Sequence, residues 1–241
     1  MTAGGVGETF RPGVFVDAVR FVADNPGLIL DKTAEHLELS AIAISISLLV
    51  GLPVGVILGH LHRGSFVAIN LGNVGRALPS LAVIAFGLAI FGIGRANVVF
   101  ALVVLAVPPI VTNAFVAVDE VDPDAVEAAR GMGMSPAQVL WRVELPLALP
   151  LVFAGIRTAS LYVVATATLA GIVGGGGLGD IIVNQASYRL AGVVGAALCV
   201  SALALAVDAA LAGLQRAVTP PGLRARIPSL EPDTSTSRVA G

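Results

Sequence analysis

An all-α protein that crosses a membrane about five times is predicted by three features of the sequence. Of 241 residues, 56% are hydrophobic and only 12% are charged, whereas soluble domains carry roughly 25% charged residues. Between Leu39 and Val118 the only ionised side chains are three arginines, at positions 63, 76 and 95. Several apolar runs reach the roughly 20 residues that a helix needs to cross the hydrocarbon core of a bilayer. None of these runs has the polar face at helical spacing that a soluble helix would carry.

Residues 1–35 are predicted to precede the membrane spans. Their start has no basic region joined to an apolar region, so we expect no cleavable signal peptide. Within residues 14–25 the apolar and charged side chains separate to opposite sides of a helix. The apolar side consists of Phe15, Ala18, Val19 and Val22. This pattern predicts a short interfacial helix that ends at Asn25-Pro26-Gly27.

Five apolar runs follow, each long enough to span the membrane. They are Leu39–Gly59, Ala77–Gly94, Asn97–Val118, Leu147–Val173 and Leu190–Leu214, with Phe66 as the earliest start of the second. Prolines recur inside these runs, at positions 53, 79, 108, 109 and 150. A helix bundle tolerates them where neighbouring helices or Ser and Thr side chains satisfy the freed backbone groups.

Five spans place the two ends of the chain on opposite sides of the membrane. If the C-terminus is cytoplasmic, the loops on that side hold Arg63, Arg130, Arg142, Arg216, Arg224, Arg226 and Arg238. The other side then holds Arg11, Arg20, Lys32, Arg95 and Arg189. The excess of positive charge favours this orientation. We therefore expect a protein of the cell membrane with residues 1–35 outside and a disordered cytoplasmic tail, residues 217–241.

A polar segment, residues 119–146, separates the third and fourth spans. Asp122 is a good N-cap, Pro123 suits the first helical position, and Gly131 and Gly133 suit the end of a helix. They predict a short helix over DPDAVEAAR, with acidic residues in its first turns that complement the helix dipole.

A second short helix, PAQVLWRVE, is predicted to follow. Ser135 would cap it, and it would stop before Leu145-Pro146, because a residue preceding proline disfavours helical geometry. Val139, Leu140 and Trp141 would offer apolar anchors on its surface. The residues alone leave two interpretations open: a plug for a groove in another protein, or a loop lying on the membrane surface.

The spacing of this segment resembles the signature of permease subunits of ABC importers: E-A-A, three residues, G, nine residues, an aliphatic residue, one residue, L-P. The matching residues are Glu127, Ala128, Ala129, Gly133, Val143, Leu145 and Pro146. The resemblance implies the type I ABC importer permease fold, with about five core transmembrane helices. It also implies that residues 119–146 (the EAA segment) form a cytoplasmic coupling loop whose seven motif residues couple the chain to an ATPase.

The resemblance extends over most of the chain. The chain is similar to the glycine betaine, carnitine and choline branch of these permeases. The stretches that carry it include ALPSLAV, PPIVTNAFVAVDEVDPDAVEAARGMGMS and ATATLAGIVGGGGLGD. It implies a permease domain, residues 36–216, that imports compatible solutes such as glycine betaine, choline, carnitine or proline. Methionine permeases share a similar GGGLGD run, and Arg76-Ala77 departs from the osmolyte branch. An importer of methionine or another amino acid is therefore the alternative.

Catalytic signatures are missing from the sequence. The only lysine, Lys32, has no glycine loop before it, so the chain has no Walker A motif. Residues 174–179, GGGGLG, follow a membrane run rather than a strand, so we expect a flexible or re-entrant turn instead of a nucleotide site. His60 and His62 are expected in a solvated turn. We predict a transport subunit that is no enzyme and has no catalytic, cofactor-binding or metal-binding residues.

The implied partners are an ATP-binding cassette ATPase, an extracytoplasmic solute-binding protein, a second permease subunit and the lipid bilayer. The net charge of −2 gives no basic field for nucleic acid. The second permease subunit could be identical or a different chain.

Two ionisable residues fall inside the predicted spans, Arg157 and Asp208. We expect Asp208 to reach the membrane interface, and Arg157 to pair with a helix end or with the EAA segment. Because arginines would repel a cationic solute, Arg157 and Arg76 are expected to face away from its path. A self-contained secondary transporter, the rival from another class, would need internal repeats and coupling charges at mid-membrane, and neither is clear.

Overall fold

The structure, a computed structural model, describes residues 13–219 apart from the side chain of Arg76. The described residues form helices and turns without strands. The α-helices are α1 Val14–Asp24, α2 Pro26–His60, α3 Ser65–Ala77, α4 Ser80–Phe91, α5 Arg95–Asp119, α6 Pro123–Gly131, α7 Pro136–Val139, α8 Leu145–Thr166, α9 Gly179–Val183 and α10 Gln185–Val218. A π-helical turn, Leu140–Glu144, joins α7 to α8, and a 3₁₀ helix, Ala167–Val173, follows α8.

Four helical stretches are long and apolar enough to cross a membrane. They are α2, α5, α10 and the continuous run Pro136–Val173 that contains α8. A fifth span exists if α3 and α4, which are bent by 93° at a short break, count as one. The number of predicted spans is therefore confirmed, although the second is not one continuous helix.

The bend in the second span falls where the sequence predicted its helix to begin. Leu78 has extended backbone angles, φ −67° and ψ 119°, and α4 starts only at Ser80. Proline 79 explains the break, because its ring excludes the helical conformation from the residue before it. The second span, predicted to centre on Ala77–Gly94 with Phe66 as its earliest start, is therefore broken at Leu78-Pro79.

Helix α1 forms where the amphipathic pattern predicted it and lies against the first half of α10. Its Ala18 is fully buried, and a Cβ built at Gly195 of α10 would lie 3.0 Å from the Ala18 carbonyl oxygen. The rings of Phe21 and Tyr188 meet edge to face with their centroids 6.2 Å apart. Helix α2 then begins at Pro26, well before the predicted span start at Leu39.

Helix α5 is the centre of the bundle and contacts α2, α3, α4 and α8. Helix α2 approaches it through Gly51, Gly55 and Gly59, which the four-residue spacing places on one face. A Cβ built at Gly55 would lie 2.5 Å from the carbonyl oxygen of Val111. The two helices therefore meet backbone to backbone, the close approach that small residues permit in membranes.

The two ends of the bundle differ in structure. One end carries α6, α7 and the π-helical turn (the EAA end). The other carries the glycine loop, residues 174–177, together with α1 and α9. Of the predicted tail, residues 217 and 218 still belong to α10, and residues 220–241 lie outside the described part of the chain, as do residues 1–12.

Replacing Gly55 with alanine should destabilise the bundle. The added methyl group meets the Val111 carbonyl on the backbone, which cannot move aside, so we expect a loss of about 1–3 kcal/mol from overpacking. Thermal unfolding of the purified chain in detergent measures the effect. The matched control is Gly213→Ala, because a Cβ at this glycine of α10 meets nothing within 4 Å, and alanine favours a helix over glycine. Equal melting temperatures for the two variants would contradict the packing interpretation.

Candidate functional site

The first helix of the EAA segment forms as predicted. The Asp122 carboxylate caps it by accepting a hydrogen bond of 3.0 Å from the Asp124 N–H, and Pro123 occupies its first turn. Helix α6 ends at Gly131. The residues that start and end α6 are neighbours in the sequence, which explains why the helix could be predicted from it.

Gly133 forms the corner between the two short helices. Its φ of +80° lies in the left-handed region. The N–H of Gly133 donates to the Arg130 carbonyl at 2.9 Å, and that of Met134 donates to the Ala129 carbonyl at 3.2 Å. This pair of bonds is the Schellman motif, which favours glycine at the corner. A Cβ here would meet nothing within 4 Å, so backbone conformation rather than packing requires the glycine.

The second helix of the EAA segment differs from the prediction. Ser135 and Gln138 form a capping box at the start of α7. The helix, however, does not end before Leu145-Pro146 as predicted. It passes through the π-helical turn into α8, with the Leu145 N–H bonded to the Leu140 carbonyl. The wider turn moves the carbonyl that the Pro146 ring would otherwise strike, so the helix continues through a proline that usually ends one.

The seven predicted coupling residues divide into two groups by burial. Glu127, Ala128 and Gly133 are exposed. Ala129 is buried, and Val143, Leu145 and Pro146 are half-buried. Ala129, Val143 and Leu145 pack into a cluster with Val118, Val126 and Val139 at the EAA end. The motif thus supplies both an exposed surface and its attachment to the bundle.

Among the expected apolar anchors, only Trp141 stands free on the surface. Its side chain is 69% exposed, whereas Val139 is fully buried. Leu140 is half-buried. The expectation for Val139 is wrong because its side chain packs into the apolar cluster at the EAA end. Met132, at 72% exposure, joins Trp141 as an exposed apolar group that the sequence analysis did not single out.

A buried acid–histidine contact holds the π-helical turn to the end of α2. The Nδ1 of His60 lies 2.6 Å from a carboxylate oxygen of Glu144. The Glu144 side chain is 1% exposed, and its second oxygen has no hydrogen-bond partner among the described residues. His62 similarly contacts Asp119, at 2.8 Å, on the surface. The expected solvated turn at these histidines is therefore a pair of connections from α2 to the segments around α6.

A cleft of about 460 Å³ opens beside this contact. Its lining includes His60, His62, Arg63 and Arg130. Neither arginine forms an ion pair within residues 13–219. The EAA end consequently presents free positive charge next to its exposed motif residues.

At the opposite end of the bundle, charged side chains hold the glycine loop. A carboxylate oxygen of Glu35 accepts hydrogen bonds from the Gly177 N–H at 2.8 Å and from Lys32 at 2.9 Å. Lys32 also donates to Asp180 at 2.7 Å. Gly176 and Gly177 have φ values of +91° and +82°. Of the two expectations, a flexible or a re-entrant turn, the contacts with α2 argue against the flexible one.

The two charged residues inside the spans pair with each other. The Nε of Arg157 lies 2.8 Å from an oxygen of Asp208. The expected pairing of Arg157 with a helix end or the EAA segment is wrong, whereas the expectation that Asp208 reaches the membrane interface stays a prediction. No signal in the sequence linked the two residues, because the partners lie on different helices. The side chain of Arg76 lies outside the described residues.

The described residues contain no group of three His, Cys, Asp or Glu side chains that could hold a metal ion. What the fold presents is a multi-pass membrane bundle with one exposed helical corner, attached to the bundle through a continuous helix. The class that the fold and this corner define is a multi-pass membrane protein with an exposed helical segment at one end.

The chain belongs to the family described as "Binding-protein-dependent transport system inner membrane component", which matches residues 51–220. The resemblance to ABC importer permeases is thereby confirmed. Membership also argues against a self-contained secondary transporter.

Three curated relatives show the same branch that the sequence resembles. A choline transport system permease protein of Bacillus subtilis is 39% identical over 86% of this chain and 95% of its own length. A glycine betaine/carnitine/choline permease protein of the same organism is 38% identical over 85% and 94%. A carnitine transport permease protein of Listeria monocytogenes is 37% identical over 86% and 95%.

Solved structures share the fold. Two inward-facing forms of the MetNI methionine ABC transporter match with TM-scores of 0.68 and 0.70, at 25% and 27% identity. The first match covers 88% of this chain and 100% of the other chain, and the second covers 80% and 97%. The predicted type I importer permease fold is confirmed.

Replacing His60 with alanine should destabilise the EAA end. The Glu144 carboxylate would remain buried without a partner, which costs about 1–3 kcal/mol. The double variant H60A/E144M removes the stranded carboxylate and should recover most of that loss. Thermal unfolding in detergent measures both variants. His62→Ala is the control, because its contact is exposed and such pairs contribute only about 0–1 kcal/mol. The assignment fails if H60A/E144M is no more stable than H60A.

Proposed function

We propose that this chain is the permease subunit of an ATP-driven importer for compatible solutes such as choline, glycine betaine, carnitine or proline. The observation that carries this proposal is the similarity to choline, glycine betaine and carnitine permeases, at 37–39% identity over most of the chain. The chain contributes a path through the membrane, and solute selection rests largely with a binding protein. Quaternary ammonium recognition usually needs a cage of aromatic rings, and the sequence suggests none.

The proposed permease domain is residues 36–216, between an extracytoplasmic segment, residues 1–35, and a cytoplasmic tail, residues 217–241. The distribution of arginines supports this orientation. The EAA end carries Arg63, Arg130, Arg142 and Arg216, as expected of a cytoplasmic face. At the glycine-loop end, Lys32 and Arg95 are instead paired with acidic side chains.

Energy would enter through the EAA segment, over residues 122–146. Because the sequence has no Walker A motif, we infer that the chain has no ATPase activity and that a separate ATPase binds here. Exposed Glu127, Ala128 and Gly133, flanked by Trp141, give that partner a surface. Ala129, Val143, Leu145 and Pro146 would transmit its movement into the bundle. A solute-binding protein on the other side and a second permease subunit complete the proposed complex.

An importer of methionine or another amino acid is the second candidate. It is favoured by the shared fold with the methionine transporter, at 25–27% identity. The lower identity ranks it behind the osmoprotectant proposal. Both candidates share the same fold and the same coupling residues, so the transported solute separates them.

Uptake of labelled solutes tests the proposed substrate class. Cells that lack their own osmolyte importers should accumulate choline, glycine betaine or carnitine only when this chain is expressed with its ATPase and binding protein. Cells without the chain are the control, and proline and methionine are measured in parallel. Uptake of methionine alone would favour the second candidate. If none of the five solutes is imported, the proposed function is overturned.

Substitution of Gly133 by valine tests the coupling assignment. A β-branched residue is strongly disfavoured at a φ of +80°, so the corner should reshape and the ATPase should bind less tightly. We expect solute uptake to fall at least tenfold while the chain stays in the membrane. Gly131→Ala is the matched control, because its Cβ meets nothing within 4 Å and its φ is ordinary. Unchanged ATPase association in co-purification with Gly133→Val or Glu127→Ala would refute the assignment.

A further inference from the structure

The membrane-spanning helices α8 and α10 are joined by a ladder of polar contacts to which the proposed function assigns no role. The Arg157 guanidinium binds the Asp208 carboxylate through two parallel hydrogen bonds, of 2.8 and 2.9 Å. Arg157 also donates to the side-chain oxygen of Gln215 at 3.2 Å. The Gln215 amide in turn donates to the Pro150 carbonyl at 2.9 Å. Four hydrogen bonds thus connect two positions on each helix.

The spacing of these contacts fixes the register of the two helices. Arg157 lies seven residues after Pro150, and Gln215 lies seven residues after Asp208. Seven residues are two helical turns, or about 10.5 Å along the axis. The antiparallel helices therefore carry two matched rungs, and Arg157 connects one rung to the other. Sliding or rotating either helix would break both rungs together.

Apolar packing is sparse in the second half of α10, where Leu203 alone joins the cluster at the glycine-loop end. The buried residues of α10 are Gly192, Gly195, Ala196 and Val200, all in the first half. Ala196 and Val200 belong to the cluster that contains Ile29 and Leu178 at the glycine-loop end. From Ser201 to Val218 no residue of α10 is buried. The polar ladder therefore joins the second half of α10 to α8 in a region where no side chain of α10 is fully buried.

The charges of Arg157 and Asp208 also depend on each other, because each would be unpaired without the other. A charged side chain within a membrane span is costly unless it is paired. The bidentate geometry of an arginine–carboxylate pair adds directional preference to the attraction. Removing one partner leaves the other unpaired, whereas exchanging the two residues preserves the pair. This asymmetry makes the role of the ladder testable.

We propose that Arg157, Asp208 and Gln215 are positioning residues that make the second half of α10 move with α8 during transport. Helix α8 is continuous with the π-helical turn and α7, so movement imposed on the EAA segment passes along α8. The ladder transfers that movement to a helix that the EAA segment does not itself contain. The inference rests on the proposed function only in taking the EAA segment as the site where the ATPase acts.

The first test measures whether α10 follows α8. Spin labels at Leu151→Cys and Ala209→Cys, in a Cys199→Ser background, report the distance between the helices in the complex of full chain and ATPase. Without substitutions in the ladder, the distance distribution should be the same in the nucleotide-free and vanadate-trapped states. In D208N, the two states should give different distributions. Identical distributions for D208N would overturn the proposal, and this readout needs no knowledge of the solute.

The second test measures solute transported per ATP hydrolysed, in proteoliposomes with the ATPase and binding protein. We expect D208N and R157Q to lower this ratio at least tenfold while ATP hydrolysis continues, and Q215L to lower it about threefold. The exchanged double variant R157D/D208R should recover at least a third of the original ratio. Thr158→Ala and Ser201→Ala are the controls, because both hydroxyls bond within their own helices.

If the single variants do not assemble with the ATPase, the exchanged double variant R157D/D208R tests the role of the ladder. Assembly and coupling of R157D/D208R would then support the ladder, because only the pairing has been restored. Failure of R157D/D208R to improve on the single variants would overturn it, as would an unchanged ratio in Q215L. If the unsubstituted complex imports none of the five solutes, the proposed function fails, and the spin-label distances still decide the role of the ladder.

Discussion

The contact of α2 with α5 through three glycines is the packing on which the rest of the bundle depends. At Gly55 the two backbones come so close that a methyl group has no room. Because α5 also carries α3, α4 and α8 on its other sides, its position relative to α2 sets the frame for every other span. In a membrane, where lipid tails are as apolar as the side chains, such close approach replaces the hydrophobic effect as the source of helix association.

The EAA end adds rigidity to that frame by two routes. Covalent continuity through the π-helical turn joins the short helices to α8, and the buried His60–Glu144 contact joins them to α2. The exposed motif residues are thereby held in position relative to two spans rather than to one flexible loop. The same sequence motif contains both the surface and its support, since Glu127 and Gly133 face outward while Ala129 is buried.

Features encoded by neighbouring residues could be predicted from the sequence, and features that depend on distant residues could not. Spans, helix caps and the Gly133 corner follow from composition and from side chains within a turn of the backbone that they affect. The His60–Glu144 and Arg157–Asp208 contacts join residues 84 and 51 positions apart. Two prolines illustrate the difference. Pro79 breaks its span, whereas the helix continues through Pro146 because a wider π-helical turn accommodates it, and the stability of that turn depends on tertiary packing. A proline alone does not distinguish these outcomes.

The continuous helical run from Pro136 to Val173 reaches from the EAA end to the residue before the glycine loop. Its 38 residues, at 1.5 Å each, extend on the order of 57 Å. The hydrocarbon core is only about 30 Å thick, so the run is longer than one crossing requires. A tilt of about 10° around its middle displaces each end by roughly 5 Å in opposite directions. If the run moves as one body, a push on the short helices at one end becomes a displacement in the opposite direction at Val173, the residue before the glycine loop.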